Sequence, residues 1–422
     1  MKCKIDEQRI LVIDRFMPSM WILCTILLLF ATSETNSNIT NMDSKAFSSA
    51  IAHFSSKFCV ELEKGKSVVS SPLSAEYLLA LLALGTTDRA HEELLTSLGF
   101  PDDDSIRSSF LEASTKLKSI SGVTFNVANK VYLPEGAYDL QEEIKNDAIK
   151  VFDAGIEKLD FSNGAAAADT INKWVEGKTN NRIKDLLSAD SLDISTRIVL
   201  VNALYFKGTW KKQFDPIHTR NLPFHITSNS TVDVPMMYKE DDYRYGDSEE
   251  LKAQLLEIPY VGDEASMLIV LPHDIEGLED VLAKLAGGYD LMAEYDNMYS
   301  TKVQVTLPKF KIETEIDLGV VLRKLGIQAI FNRGGSGITK MLNTNEELYV
   351  SKAVQKAFIE VNEEGAEAAA ATAMKALRLR ESFGIEFICN QPILVMISHI
   401  RKKMHMPIII ATYKGDCNED YW

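Results

Sequence analysis

The chain has 422 residues, 46% of them hydrophobic, which is enough to bury a large core and excludes a disordered or fibrous polypeptide. Its 45 basic and 60 acidic residues give a formal charge of −15, which excludes a general binder of nucleic acid or other polyanions. No Pro/Gly/Ser-rich linker or internal repeat divides it, so one large domain is expected.

The N-terminus reads as a targeting segment. An apolar run over 20–31 follows Lys2, Lys4, Arg9 and Arg15 and gives way to Ala31-Thr32-Ser33. The run is too short to span a bilayer comfortably, and its flanks match a secretory signal. The expectation is a signal peptide over 1–33, a single domain over 34–422, and a secreted, extracellular protein with no membrane partner. An uncleaved anchor extended by Ile10 to Ile13 is the alternative. Asn38 and Asn229 head the glycosylation sequons Asn38-Ile39-Thr40 and Asn229-Ser230-Thr231. Past the signal only Cys59, Cys389 and Cys417 remain, too few and too scattered for a disulfide framework. One pair plus a free thiol would fit, with Cys59, in a helical pattern, expected as a buried free thiol.

Phe47, Ile51, Phe54 and Phe58 recur at helical spacing behind Asn41 and Asp43, which predicts a first amphipathic helix. Ser71-Pro72 marks a second helix start, with serine as cap and proline at the first turn. That helix is apolar nearly all round over 73–84, so it should be buried, and Gly85 should end it. Further helices are predicted over 88–98 and 169–187. Strands are predicted over 197–205, 253–260, 266–271, 303–307, 310–313, 348–361, 385–389, 393–398 and 406–413, with Gly262-Asp263 as a hairpin turn. Early helices and later strands indicate an α+β fold.

The strand over 348–361 runs without a turn into Glu363-Glu364-Gly365-Ala366-Glu367-Ala368-Ala369-Ala370-Ala371-Thr372. A strand continuing into small residues, with Gly365 as a joint, reads as a segment able to extend the strand or leave the sheet. It resembles the hinge of serpins, whose reactive loop inserts into a sheet. Ser71-Pro72-Leu73-Ser74, the run Ile171 to Glu176, the run Asn202 to Trp210, the run Leu307 to Glu313 and the run Lys356 to Gly365 also resemble serpin signatures, in serpin order.

The resemblance implies three β-sheets with about nine helices, and a reactive loop at about 365–385. It implies a monomeric suicide inhibitor of serine endopeptidases with no catalytic residue, no metal and no cofactor. Alternatives are a non-inhibitory carrier or chaperone-like relative and a cross-class inhibitor of cysteine proteases. By resemblance Ser71, Ser74 and Asn202 belong to a hydrogen-bonded shutter beneath the central sheet, where Gln355 stands in place of the relatives' usual histidine. An inserting strand needs alternate residues inward, and Ala366, Ala368, Ala370, Thr372, Met374 and Ala376 are all uncharged. The cleaved bond usually follows the residue about fourteen positions after the hinge glycine, which indicates Leu379-Arg380 and a chymotrypsin- or elastase-like target. Arg378 and Arg380 leave a trypsin-like target open.

Other chemistries fit poorly. His91-Glu92-Glu93 starts like a zinc-protease helix but lacks the second histidine. Ser336, in Gly334-Gly335-Ser336-Gly337-Ile338, lacks the glycine two positions on that a nucleophile elbow needs. The segment over 105–117, where some serpins bind heparin, holds only Arg107 and Lys116, so no heparin site is expected there.

Overall fold

The computed structural model describes residues 42–136, 139–343, 348–365, 384–401 and 404–416. Its first helix, α1 (Ser44–Val60), is capped by the Asp43 carboxylate, which accepts from Ala46 N at 2.7 Å, and it buries Phe47, Ile51, Phe54 and Phe58. After the short strand β1 (Val68–Ser70), Ser71 caps α2 (Pro72–Leu84), every residue of which is buried. The all-round apolar pattern therefore marks a central helix, and α2 packs against strands of both sheets. Next come α3 (Asp88–Leu98), closed by Gly99 in the left-handed region, then α4 (Asp103–Lys118), α5 (Glu142–Lys150) and α6 (Gly164–Lys178).

The expected helix over 169–187 is displaced. It starts earlier, where the Asn163 side chain accepts from Ala166 N, and it stops before Asn180 and Asn181, whose φ of 54° and 58° no right-handed helix can continue. Three short helices, α7 (Leu278–Ala286), α8 (Leu291–Asn297) and α9 (Leu318–Lys324), make nine among the described residues.

A five-stranded sheet forms the centre, in the order β10 (Phe310–Asp317), β11 (Val350–Val361), β4 (Ile198–Gly208), β2 (Val123–Pro134), β3 (Gly155–Leu159). Its middle pair, β11 and β4, is parallel, in register from Val350↔Ile198 to Ile359↔Phe206, while β10 and β2 flank the pair antiparallel. Ile171 and Val175 of α6 cover one face, packed with Val199, Val201, Ala203 and Val354.

The remaining strands are β5 (Arg220–Thr227), β6 (Ser230–Ser248), β7 (Ala253–Pro259), β8 (Ala265–Pro272), β9 (Tyr299–Pro308), β12 (Ile385–Ile388), β13 (Ile393–Arg401) and β14 (Met404–Tyr413). With β1 they form one hydrogen-bonded network of nine strands. The 19-residue β6 joins what the resemblance counts as two sheets: it pairs with β9 from Met236 to Tyr245 and with β7 from Arg244 to Ser248. The β7–β8 hairpin turns at Gly262 and Asp263, both at positive φ, as their sequence requires. Cys59 and Cys389 are free and buried, and burial pushes the Cys59 thiol up to about 12. Cys417 lies outside the described residues.

Candidate functional site: two polar clusters on one seam

The seam between β4 and β11 carries two clusters of polar side chains. The first sits mid-strand. Gln355 and Asn202 lie directly opposite each other, and Asn129 of β2 lies opposite Asn202 on its other side. The chain turns from β1 into α2 at Ser71, so its backbone groups leave the strand ladder. The Gln355 amide takes the ladder's place: its Oε1 accepts from Ser71 N at 3.0 Å and its Nε2 donates to Ser71 O at 2.9 Å. The same Nε2 donates to Asn202 Oδ1 at 2.6 Å.

Asn202 Nδ2 in turn donates to Ser74 Oγ and to Asn129 Oδ1, and Ser71 Oγ donates to Ile408 O of β14 at 2.6 Å. All five side chains are buried. Ser71, Ser74, Asn202 and Gln355 are thus brought together in one hydrogen-bonded cluster. Asn129 was not singled out, because Asn126 and Lys130 also break the apolar run of its strand, which did not read as one from the sequence.

The second cluster closes the C-terminal end of β11. After Val361 the chain makes a turn in which Gly365 N donates to Asn362 O at 3.2 Å. Gly365 has φ +80°, and a Cβ there would lie 2.4 Å from Trp210 N and 2.5 Å from Gly208 O, so only glycine fits. Trp210 N donates to Glu364 O at 3.2 Å, and its indole Nε1 donates to Asn362 O at 2.8 Å. The indole is itself fixed by stacking on Tyr260, with ring centroids 4.6 Å apart.

Glu363 points back into the protein. Its carboxylate accepts from Thr219 Oγ1 at 2.7 Å and pairs with Lys309 Nζ at 2.9 Å. Burial alone would raise this carboxyl, but the bonds from Thr219 and Lys309 outweigh it and hold the group below its ordinary range. Lys309 belongs to the Leu307-Pro308-Lys309 motif, so the geometry gives that motif a task the sequence did not reveal: it anchors the turn before the loop.

Beyond Gly365, the hinge residues Ala366, Glu367, Ala368, Ala369, Ala370, Ala371 and Thr372, and Arg378, Leu379 and Arg380, lie outside the described residues, as does Asn38. The described chain resumes at Gly384 and enters β12, which pairs in parallel with β9 at the sheet edge. Asn229 sits exposed at the β5–β6 turn. In α4, where a heparin site was considered, Arg107 is held by Asp147 and Glu143 at 2.9 and 2.7 Å, Lys116 by Glu112 at 2.6 Å, and Lys118, the last residue of the helix, by Asp153 at 3.1 Å.

Residues 49–408 match the family model described as serpin (serine protease inhibitor). An antitrypsin of Bombyx mori is 44% identical over 377 residues, covering 88% of this chain and 94% of the relative. Antichymotrypsin-2 of the same organism is 44% identical over 364 residues, covering 86% and 94%. Among solved structures, a highly specific serpin of the insect Tenebrio molitor superposes with a TM-score of 0.79 at 34% identity, covering 89% of this chain and all of that one.

Proposed function

This chain belongs to the serpin family, whose relatives here are named as protease inhibitors, and from that premise we propose that it is a secreted suicide inhibitor of serine endopeptidases. One observation carries the reading. Gly365 emerges beside the end of β11, whose next neighbour β4 runs parallel to it. A segment that folds back from Gly365 between them is antiparallel to both strands. One parallel ladder is thereby exchanged for two antiparallel ones, which pair slightly better per residue.

The driving force matches the task. About a dozen inserted residues at about 1 kcal/mol per net hydrogen bond supply roughly 10 kcal/mol before side-chain burial. That is comparable with the about 5–15 kcal/mol that holds a typical protease together. A protease that has cleaved the loop and remains acylated to it would be carried along and distorted. In this reading the protease cleaves at Leu379-Arg380, or after Arg378 or Arg380, and the inward set from Ala366 to Ala376 enters the sheet without burying a charge. The signal over 1–33, a single domain over 34–422, glycosylation at Asn38 and Asn229 and a monomeric state belong to the same proposal. The paired cations of α4 support a protein that needs no polyanion.

The test is incubation with trypsin, chymotrypsin and elastase. A detergent-stable complex, with sequencing of the released C-terminal peptide, gives target class and scissile bond together. Nicking the loop should also raise Tm substantially, since insertion would add a strand between β11 and β4, which pair directly with each other. Clean cleavage without complex and without a Tm rise would favour the non-inhibitory reading.

A further inference from the structure

A carboxyl group stands inside the most buried helix of the fold. Glu76 lies just past the first turn of α2, is 0% exposed, and neither of its oxygens has a hydrogen-bond partner among the described residues. Two residues apart on a 3.6-residue period point nearly opposite ways, so Glu76 faces away from Ser74 and the mid-strand cluster. Its own face of the helix carries Ala80 and Ala83, at i+4 and i+7, both fully buried. No side chain on that face of α2 can donate to a carboxylate.

The elements packed on α2, which are α1, α3, α4, α5, β2, β4 and β14, bring no compensating charge among their described side chains. His53 and Lys57 of α1 are exposed, and Arg107 of α4 and Asp147 of α5 hold each other at 2.9 Å. Lys130 of β2, over the Trp174 ring, and Lys207 of β4 alternate onto the face of the central sheet that α6 covers. His91 of α3 and Asp103 of α4 meet at 3.4 Å beside Ala83 O, about 10 Å further along the helix axis. The remaining titratable groups are neutral: Cys59 of α1 is a buried thiol, Tyr413 of β14 stacks on Phe310, and the Tyr77 hydroxyl accepts from Ser114 Oγ. Burial therefore acts on Glu76 unopposed and raises its carboxyl well above the ordinary range.

We propose that Glu76 is a proton-linked switch built into the central helix: the folded chain carries it as the neutral acid, and ionising it takes stability from the native state. The switch does not depend on which protease the loop meets. Above the ordinary carboxylate range the unfolded chain has lost this proton while the folded chain still holds it. Its stability is therefore fully present below that range and falls as pH rises toward the folded value. Glu363 acts with the opposite sign, losing its contribution in acid. Together the two carboxyls favour a mildly acid optimum, and a neutral medium leaves the fold less stable.

The test compares the full-length chain with Glu76→Gln, which keeps the size and cannot ionise, by urea unfolding from about pH 5 to about pH 8. At each pH the variant's folded-to-unfolded ratio is divided by that of the wild type, which cancels the titration of every other group. The quotient should rise with pH, by up to about tenfold per unit and by about tenfold or more across the whole range. A quotient that stays level or falls overturns the switch. Should the glutamine variant fail to fold, Glu76→Leu, which places an apolar side chain in an apolar site, supplies the same quotient. The wild-type chain also carries a direct signature. Its infrared spectrum at about pH 6 should show a protonated-carboxyl band that vanishes on unfolding, when the group returns to its ordinary range. Absence of that band from the folded chain overturns the switch as well.

Discussion

The mid-strand cluster and the turn cluster occupy the same pair of strands, yet they use opposite chemistry. Gln355, Asn202, Asn129, Ser71 and Ser74 are neutral amides and hydroxyls in full burial. Eight residues further along the chain, in the turn past β11, Glu363 pairs with Lys309, which still meets water. The difference follows from solvation. A charge placed mid-seam would need several kcal/mol of compensation, whereas at the strand end water meets part of the demand. The seam therefore has a lock that ignores pH in its middle and a latch that responds to it at its end. In the insertion reading the latch must yield first and the lock later, so perturbing each should have separable consequences.

The largest effect is expected at the latch side, from Ala366→Arg. This is the first residue of the inward set, so the guanidinium would have to enter the sheet unpaired, at a cost of several kcal/mol. Each 1.4 kcal/mol slows insertion about tenfold, which lets the acyl-enzyme hydrolyse first. The variant should behave as a substrate, consuming at least about ten molecules per enzyme inhibited while the wild type stays near one. Wild-type stoichiometry would break the inward register.

At the lock, Asn202→Ala removes the donor shared by Ser74 and Asn129 and leaves Gln355 short of an acceptor. Buried groups left unpaired cost about 1–3 kcal/mol each, so about 3 kcal/mol in sum is expected. For a domain of this size that lowers Tm by about 4 °C. Calorimetry at pH 6 and pH 8 should give the same drop, since nothing in the lock titrates there.

Glu363→Gln tests the latch. The folded state holds this carboxyl below its ordinary range, so the folded protein binds fewer protons than the unfolded chain as the medium turns acidic. Its contribution to stability is complete above the ordinary carboxylate range and is lost as pH falls through the depressed folded value. The variant should be less stable than wild type by about 1 kcal/mol at pH 7, as for a partly exposed pair, with the gap closing in acid. A gap independent of pH would mean that the carboxylate's charge is not what holds the turn.

The legibility of the two clusters in the sequence differed for physical reasons. Ser71 was legible as a helix cap because Ser71-Pro72 is a helix start, whereas its grouping with Ser74, Asn202 and Gln355 was implied only by the family resemblance, and Asn129 was not singled out. Glu363 was legible as part of a hinge, but its partners Thr219 and Lys309 stand 144 and 54 positions away, and no local rule pairs them. Among the elements, α1, α2, α3 and the β7–β8 hairpin carry clean periodicity or turn chemistry and were readable. The strand β2 was not, because Asn126, Asn129 and Lys130 interrupt its apolar run. The strand β6 was not, because its solvent face is filled with Asp, Glu and Lys that mimic a loop. The helices α7, α8 and α9 are too short for a period of 3.6 to stand out.

The smallest effect sharpens the comparison most, because it asks whether the lock can be given the latch's pH response. Gln355 uses three bonds: it accepts from Ser71 N and donates to Ser71 O and Asn202 Oδ1. A neutral imidazole in Gln355→His offers one acceptor and one donor, so it can replace two of these and should cost about 1 kcal/mol at pH 8. Protonation turns the remaining acceptor into a donor that faces the Ser71 N–H, and the buried ring is desolvated as well. Both effects depress the folded pKa of the histidine below its ordinary value of about 6.5. The unfolded chain then binds the extra proton more readily, so the variant should lose stability as pH falls through 6.5 and below. The readout is the Tm difference between wild type and variant at pH 8 and pH 5.5, which cancels the titration of every other group. A difference that widens in acid shows that the acceptor bond to Ser71 N is what the amide supplies. A constant difference would mean that the lock tolerates a cation, and that its neutrality is not what separates it from the latch.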